Sequence, residues 1–228
     1  MTGQISNFQA DLKIQKTHLH REIIKKFLGT YNSIDISSIR FCEKIGLYAN
    51  TDDDVFLRRN KQLIKIPIEY KTDYKTSSTG NIVIEILGSI DLIYTKDFPL
   101  GAIYKNEPQH LKVCKLIEEI KSGNIQASRG LALLDTENIP NYHLFSYLIA
   151  KNRYPKNLEK TEDIEDYLIF RTKKLVAFMQ NNYQKYSFMV TESQKISKWR
   201  TIGCLIKKKD LLPLTIFQMQ TTNSNNKR

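Results

Sequence analysis

Glu69, Lys71 and Asp73 stand two residues apart in "IPIEYKTDYKTSSTGNIVIEIL", residues 66–87, the most strand-like region of the chain. A strand sends alternate side chains to opposite faces, so these three share one face while Ile68 and Tyr70 take the other. Pro67 cannot donate to a ladder and marks an edge, a bulge or a strand start. Upstream, "TDDDVFLRRNKQLIKIPIEYK" reads as a hairpin about Asn60 and Lys61, whose pairing sets Asp54 opposite positions 67–70. Two acids and a lysine then converge from places remote in sequence. Carboxylates gathered this way suit Mg2+, which takes one or two protein carboxylates and completes its shell with water and phosphate oxygens. Such a metal lowers the pKa of its bound water and neutralises charge building on a phosphodiester, and Lys71 is a compact point charge beside it. An exposed strand carrying alternate charges fits the same spacing, and spacing alone favours that plainer reading. Glu85 tilts the balance towards the first. Its same-face neighbours in "NIVIEIL" are Val83 and Leu87, where a carboxylate is costly to bury unless paired, protonated or metal-bound.

"Asp54 … Glu69-Tyr70-Lys71" has a D…E-x-K arrangement that resembles the PD-(D/E)XK nuclease superfamily. More narrowly, "IEYKTD" followed by "TGNIVIEI" resembles the E-x-K-x-D…T-G-N-x-x-x-E run of small phage-type and plasmid-type members. The likeness covers Asp54 to Glu85 well; "DYLIFRTKKLVAFM" and "CLIKKKDLLP" extend it loosely into the C-terminal third. It implies an α/β (α+β) fold with a restriction-endonuclease-like core, a central mixed sheet flanked by helices. The implied activity is that of a Mg2+-dependent DNA endonuclease of restriction or homing type, with Mn2+ able to substitute and 5′-phosphate ends left behind. By the resemblance, Asp54 and Glu69 are metal ligands, Tyr70 lends its main-chain carbonyl, and Lys71 is the catalytic lysine. Glu43, Asp73 and Glu85 are the accessory acids. A homodimer is implied, with no small-molecule cofactor.

The chain also departs from that pattern. The proline–aspartate pair is replaced by "Thr51-Asp52-Asp53-Asp54", and Asp54 is preferred among the three because it abuts the apolar run "VFL". After Glu85, "LGSIDLIYTKDFPLGAIY" takes the place of a glycine-rich, aromatic continuation. A Holliday-junction resolvase or an RNA nuclease would use the same site, and a non-catalytic nucleic-acid-binding protein the same fold.

The elements that must carry these residues follow from periodicity. "THLHREIIKKFLG" reads as a helix with Leu19, Ile23, Ile24, Phe27 and Leu28 inward and Gly29 at its end. "DISSIRFCEKIGL" repeats the helical pattern through Ile39, Cys42 and Ile45, with Glu43 on its flank. "NIVIEIL" is apolar on both faces, which predicts a strand central in its sheet. "EPQHLKVCKLIEEIKSGN" predicts a helix with Leu111, Cys114, Ile117 and Ile120 inward. "GLALLD" and "HLFSYLIA" read as short strands, "NRYPKNLEKTED" as a loop, and "DYLIFRTKKLVAFMQNNY" as strand then helix. "KWRTIGCLIKKKDLLPLTIF" reads as strand, basic turn and apolar tail, and "TTNSNNKR" is expected to fray. The expected organisation is a nuclease-like core with its N-terminal helices over 1–150, a basic C-terminal part of the same domain over 151–220, and a tail over 221–228.

A net charge of +11 points to a polyanionic partner, DNA first. The basic runs offer Lys151, Arg153, Arg171, Lys173, Lys174, Lys198, Arg200, Lys207, Lys208 and Lys209 for phosphate contact, with Trp199 available to stack. No window is apolar enough for a membrane span, and the N-terminus lacks a signal-peptide pattern, so the expectation is a cytoplasmic protein with no membrane partner. Cys42, Cys114 and Cys204 are odd in number and far apart, and read as small buried hydrophobes. His18 and His20 read as exposed helix residues, and His110 and His143 as structural. No serine or cysteine shows a base partner, so a nucleophilic hydrolase has no support. "SSTGN" lacks the residues of a P-loop and reads as a turn carrying Gly80.

Overall fold

Asn60 and Lys61 turn the chain through positive φ (50° and 66°), the two-residue geometry whose twist matches antiparallel strands. The hairpin they close joins β2 (Asp53–Arg59) to β3 (Gln62–Asp73), with Asp54 opposite Pro67 and Val55 opposite Ile66. Both the turn and the pairing agree with the reading of the sequence. Lysine is the strained member, since a β-carbon disfavours this region where glycine is free. Lys61→Gly is therefore expected to stabilise the protein by about 1 kcal/mol, a rise of roughly 2–4 °C in Tm for a chain of this size. A fall in Tm would show that the Lys61 side chain carries weight of its own.

The computed structural model describes residues 17–43, 52–73, 75–87, 98–124, 139–151, 164–193 and 199–220. The chain forms two compact units, Met1–Thr79 with Asn141–Arg171 and Thr215–Arg228 in the first, Gly80–Pro140 with Thr172–Leu214 in the second. Each unit is woven from separate stretches of chain. The fold is mixed α and β, as expected. Among the described residues no helix is long and apolar enough to cross a membrane.

In the first unit the hairpin is extended by β1 (Ile34–Glu43), β6 (Leu144–Ala150), β7 (Ile164–Arg171) and β10 (Thr215–Gln220), in the order β1-β2-β3-β6-β7-β10. Among the described residues the β3–β6 pairing alone is parallel. Helix α1, residues 17–28, buries Leu19, Ile23, Ile24, Phe27 and Leu28 in one core with Val55, Leu57, Ile66, Ile68, Leu144 and Leu148 of the sheet. Strand β6 is buried throughout, as its unbroken apolar run requires. The apolar tail read from the sequence is β10, an edge strand on β7.

The segment read as a second helix is instead β1. Its register on β2 slips between Asp35 and Arg40, where Asp35 Oδ1 accepts from the Ser37 N–H at 3.0 Å and from its hydroxyl at 2.6 Å. The residues gathered in this turn interrupt the two-residue alternation. Ile39 and Cys42 then fall three apart and imitate a helix, although Cys42 is exposed.

The second unit holds an antiparallel sheet of β4 (Asn81–Leu87), β9 (Trp199–Lys207), β8 (Ser187–Ser193) and β5 (Gly101–Ile103), in that order. Strand β4 is thus an edge strand, not the central one its composition suggested. Ile82, Ile84 and Ile86 are buried, while Asn81, Val83 and Glu85 on its other face are half-buried. Gly203 lets β9 close on β4: a Cβ there would lie 2.6 Å from Val83 Cγ1 and 3.2 Å from the Ile84 carbonyl oxygen. A short helix, α2 (Thr76–Thr79), ends the first segment of unit one, and Gly80 leaves it at φ 67° as the turn reading required. In the second unit α3 (Pro108–Lys121) buries His110, Val113, Leu116 and Ile117, a stripe turned from the expected one, and Leu111 is 70% exposed. His110 causes the offset. Its ring stacks on Phe188 at 4.7 Å and its Nε2–H donates to the Tyr186 carbonyl at 2.8 Å, so a histidine takes an apolar place. Helix α4 (Thr172–Asn182) follows β7 as expected, and α5 (Lys208–Leu211) is the basic turn after β9. "GLALLD" and the C-terminal "TTNSNNKR" lie outside the described residues.

Candidate active site

The pleat of β2 and β3 sorts their charged residues onto two faces. Towards α1 point Asp53, Ile68, Tyr70 and Thr72; away from it point Asp54, Glu69, Lys71 and Asp73. Lys71 Nζ lies 3.1 Å from Glu69 Oε1. Asp52 stands beside them at the mouth of the hairpin. Its N–H donates to the Ile68 carbonyl at 2.9 Å, and its Oδ2 accepts the Tyr70 N–H at 2.7 Å. The structure therefore brings Asp52, Glu69 and Lys71 together. Asp54 is on the same face, but its Oδ2 is paired with Lys65 at 2.9 Å.

Glu69 holds its proton more tightly than an ordinary carboxyl. Burial is the main cause, Lys71 offsets part of it, and Asp52 adds to it. Its side chain keeps 21% of its exposure. A half-buried acid coupled to a second acid and a lysine is the arrangement from which metal-assisted and general acid–base sites are made. Among the described residues no group of three or more His, Cys, Asp or Glu side chains is placed to hold a metal ion. Two carboxylates are as many as Mg2+ asks of a protein, and Asp52 and Glu69 are the two that could hold one here.

The accessory acids go to other places. Glu43 pairs in register with Asp53, which puts it on the α1 side of the sheet. Asp73 caps the start of α2: Oδ1 accepts the Lys75 N–H at 2.6 Å, and Oδ2 accepts the hydroxyls of Thr76 at 2.6 Å and Tyr147 at 2.8 Å. Glu85 belongs to the second unit, opposite Gly203 on the half-exposed face of its sheet, so a partly solvated face does accommodate it.

The basic residues divide between the units. Lys151 follows β6 and the exposed Arg171 ends β7 in the first unit. Lys173 and Lys174 open α4, Arg200 donates to the Phe98 carbonyl at 2.8 Å, and Lys207, Lys208 and Lys209 run from β9 into α5. Arg153, Lys198 and the side chain of Trp199 lie outside the described residues.

A polar network beneath the hairpin escaped the reading of the sequence. His20, taken for an exposed helix residue, is 1% exposed. Its Nδ1 meets the hydroxyls of Ser146 at 2.9 Å and Tyr167 at 2.8 Å, its Nε2 meets Thr72 Oγ1 at 3.2 Å, and its ring stacks on Tyr70. Asp53, fully buried, accepts two hydrogen bonds from Arg21 and one from the Tyr70 hydroxyl. The available signal was that residues 17, 20, 21 and 24 share one helix face, with Ile24 already assigned inward. A Cys–His pair also exists on α3, Cys114 Sγ lying 3.7 Å from His110 Nδ1. Burial and then Glu118 push the Cys114 thiol up, so it is a donor to the ring and not a thiolate nucleophile.

No protein-family model, no curated protein and no solved structure matches the chain.

Proposed function

We propose that the first unit is a Mg2+-dependent phosphodiesterase acting on DNA, built on a restriction-endonuclease-like core and cutting as a homodimer. One observation carries the reading: Glu69, half-buried and reluctant to ionise, is paired with Lys71 and feels the charge of Asp52 at the mouth of the hairpin. When bound, Mg2+ would supply charge neutralisation at the scissile phosphate and a more acidic water. Glu69 and Asp52 would hold it, with the Tyr70 main-chain carbonyl beside them. Lys71 holds Glu69 by its ion pair and places a positive charge where the pentacovalent phosphorus gathers negative charge. A water oxygen forms the new P–O bond, the P–O3′ bond breaks, and the 3′ oxygen leaves with a proton. The ends are a 5′-phosphate and a 3′-hydroxyl.

A second reading draws on the same contacts. Glu69 with Lys71 and Asp54 with Lys65 are self-neutralised pairs, as expected of a nucleic-acid-binding protein that uses this face as architecture alone. The test is cleavage by the full chain of supercoiled plasmid, linear duplex, branched DNA and RNA, with Mg2+, Mn2+ or EDTA. The expected result is metal-dependent cutting of DNA that Lys71→Ala slows by about 10²–10³-fold, the usual cost of a lost transition-state donor. Preference for branched DNA or RNA would reassign the substrate. Absence of cutting on all four would leave the second reading standing.

A further inference from the structure

We propose that the second unit carries a binding groove for single-stranded nucleic acid, separate from the chemistry of Glu69. The groove is an open concavity of about 570 Å³. Its floor is the end of the sheet, where Asn81 pairs with Lys207 and Ser187 with Leu205. The N–H of Lys208 donates to the Gly80 carbonyl at 2.9 Å, which pins the turn bearing Lys209 against the start of β4. Lys105 arrives from the turn after β5, and Lys185 and Tyr186 from the helical turn before β8. Four lysines from separate segments thus line one concavity; among the described residues Asp210 lines it too, its carboxylate accepting the Tyr186 hydroxyl at 3.3 Å, and Glu107 Oε2 accepts the Tyr104 N–H at 3.1 Å beside it.

Charge alone would suit any polyanion; the aromatic residue narrows it. Tyr104 lies at the groove with 61% of its surface exposed, a flat ring open to a partner. A ring so placed can stack on a base only where that base is unpaired, and lysines beside it follow the phosphates of the same strand. Among the described residues no long helix lines the groove to enter a major groove, and α5 is a single turn. A concave lysine channel with one exposed ring is the arrangement of a strand-tracking site, not a duplex reader.

The test is fluorescence anisotropy of the full chain with a labelled fifteen-nucleotide oligo-dT and with a hairpin duplex of matched charge. EDTA is present throughout so that cleavage plays no part. The expected result is single-strand binding at least about tenfold tighter than duplex binding. Tyr104→Ala should weaken it by about 5- to 100-fold and leave duplex binding unchanged. The double variant Lys105→Ala/Lys207→Ala should flatten the slope of log affinity against log salt by about 1.4, near 0.7 for each lysine on a single strand. All substituted residues are exposed, and circular dichroism of each variant excludes unfolding as the cause. Duplex bound as tightly as single strand, or Tyr104→Ala without effect, would overturn the proposal.

Discussion

Glu69→Gln is expected to abolish metal-dependent cleavage and, in the same protein, to raise Tm at neutral pH. The first effect follows from the proposed role. A neutral amide cannot share a divalent cation with Asp52, so the charge neutralisation and the more acidic water that Mg2+ would supply are lost together. The second follows from the direction of the Glu69 shift. Its pKa in the folded chain lies above its value in the unfolded chain, chiefly through burial. A carboxyl raised in this way favours folding only while protonated. That contribution is full below about pH 4.3, the unfolded value, and is lost as pH rises through the folded value. At neutral pH the ionised carboxylate is therefore a cost that Lys71 only partly offsets, and glutamine removes it. The gain in Tm should appear at pH 7.5 and vanish near pH 4, a pattern differential scanning calorimetry resolves. A lower Tm at pH 7.5 would mean that the ion pair to Lys71 outweighs the burial, and Glu69 would then be a structural salt-bridge partner. An acid that destabilises its own fold while ionised is better explained by a task than by architecture.

Much of that arrangement is legible in the sequence. The alternation of "IPIEYKTD" put Glu69 and Lys71 on one face, and Asn60 with Lys61 set the register that brings the aspartates opposite. What spacing could not choose was the aspartate. Asp54 abuts the apolar run and was preferred for it, yet Lys65 on β3 claims its carboxylate, a cross-strand pairing visible only once the register is exact to a residue. Asp53 points to the other face because the pleat leaves no choice. Asp52, the remaining member, is the one that bears on Glu69.

The fold was legible where one physical rule acted alone. Strand β6 followed from its unbroken apolar run, α1 from its stripe, and the step from β7 into α4 from a change of period. It was lost where side chains compete with the backbone: the hydrogen bonds of Asp35 to Ser37 break the alternation of β1, and His110 turns the stripe of α3. The interleaving of the two units was also hidden, since β3 finds β6 as its parallel neighbour only after the chain has built part of the second unit. Local patterns carry no information about which distant strand completes a sheet.

Asp53→Ala is expected to cost about 3–5 kcal/mol, the usual price of leaving one half of a buried ion pair behind. Asp53 is fully buried; Oδ1 accepts the Arg21 Nη2–H at 2.6 Å, and Oδ2 accepts the Arg21 Nε–H and the Tyr70 hydroxyl, both at 2.7 Å. Removing it strands a guanidinium that is mostly covered and a phenol held by stacking on His20 at 4.6 Å. His20 in turn ties α1 to β3, β6 and β7 through Thr72, Ser146 and Tyr167. Since a domain of this kind is stable by only about 5–15 kcal/mol in all, the loss should be plain in urea denaturation as a lower midpoint with an unchanged slope. Adding Tyr70→Phe to Asp53→Ala should then recover about 1–2 kcal/mol, because the second change deletes the stranded hydroxyl instead of leaving it dry. In the parent background the same Tyr70→Phe should destabilise. That reversal of sign distinguishes a satisfied polar network from a set of independent contacts. A loss below about 1 kcal/mol for Asp53→Ala would show that water replaces the carboxylate, and that α1 is held on the sheet by its apolar stripe alone.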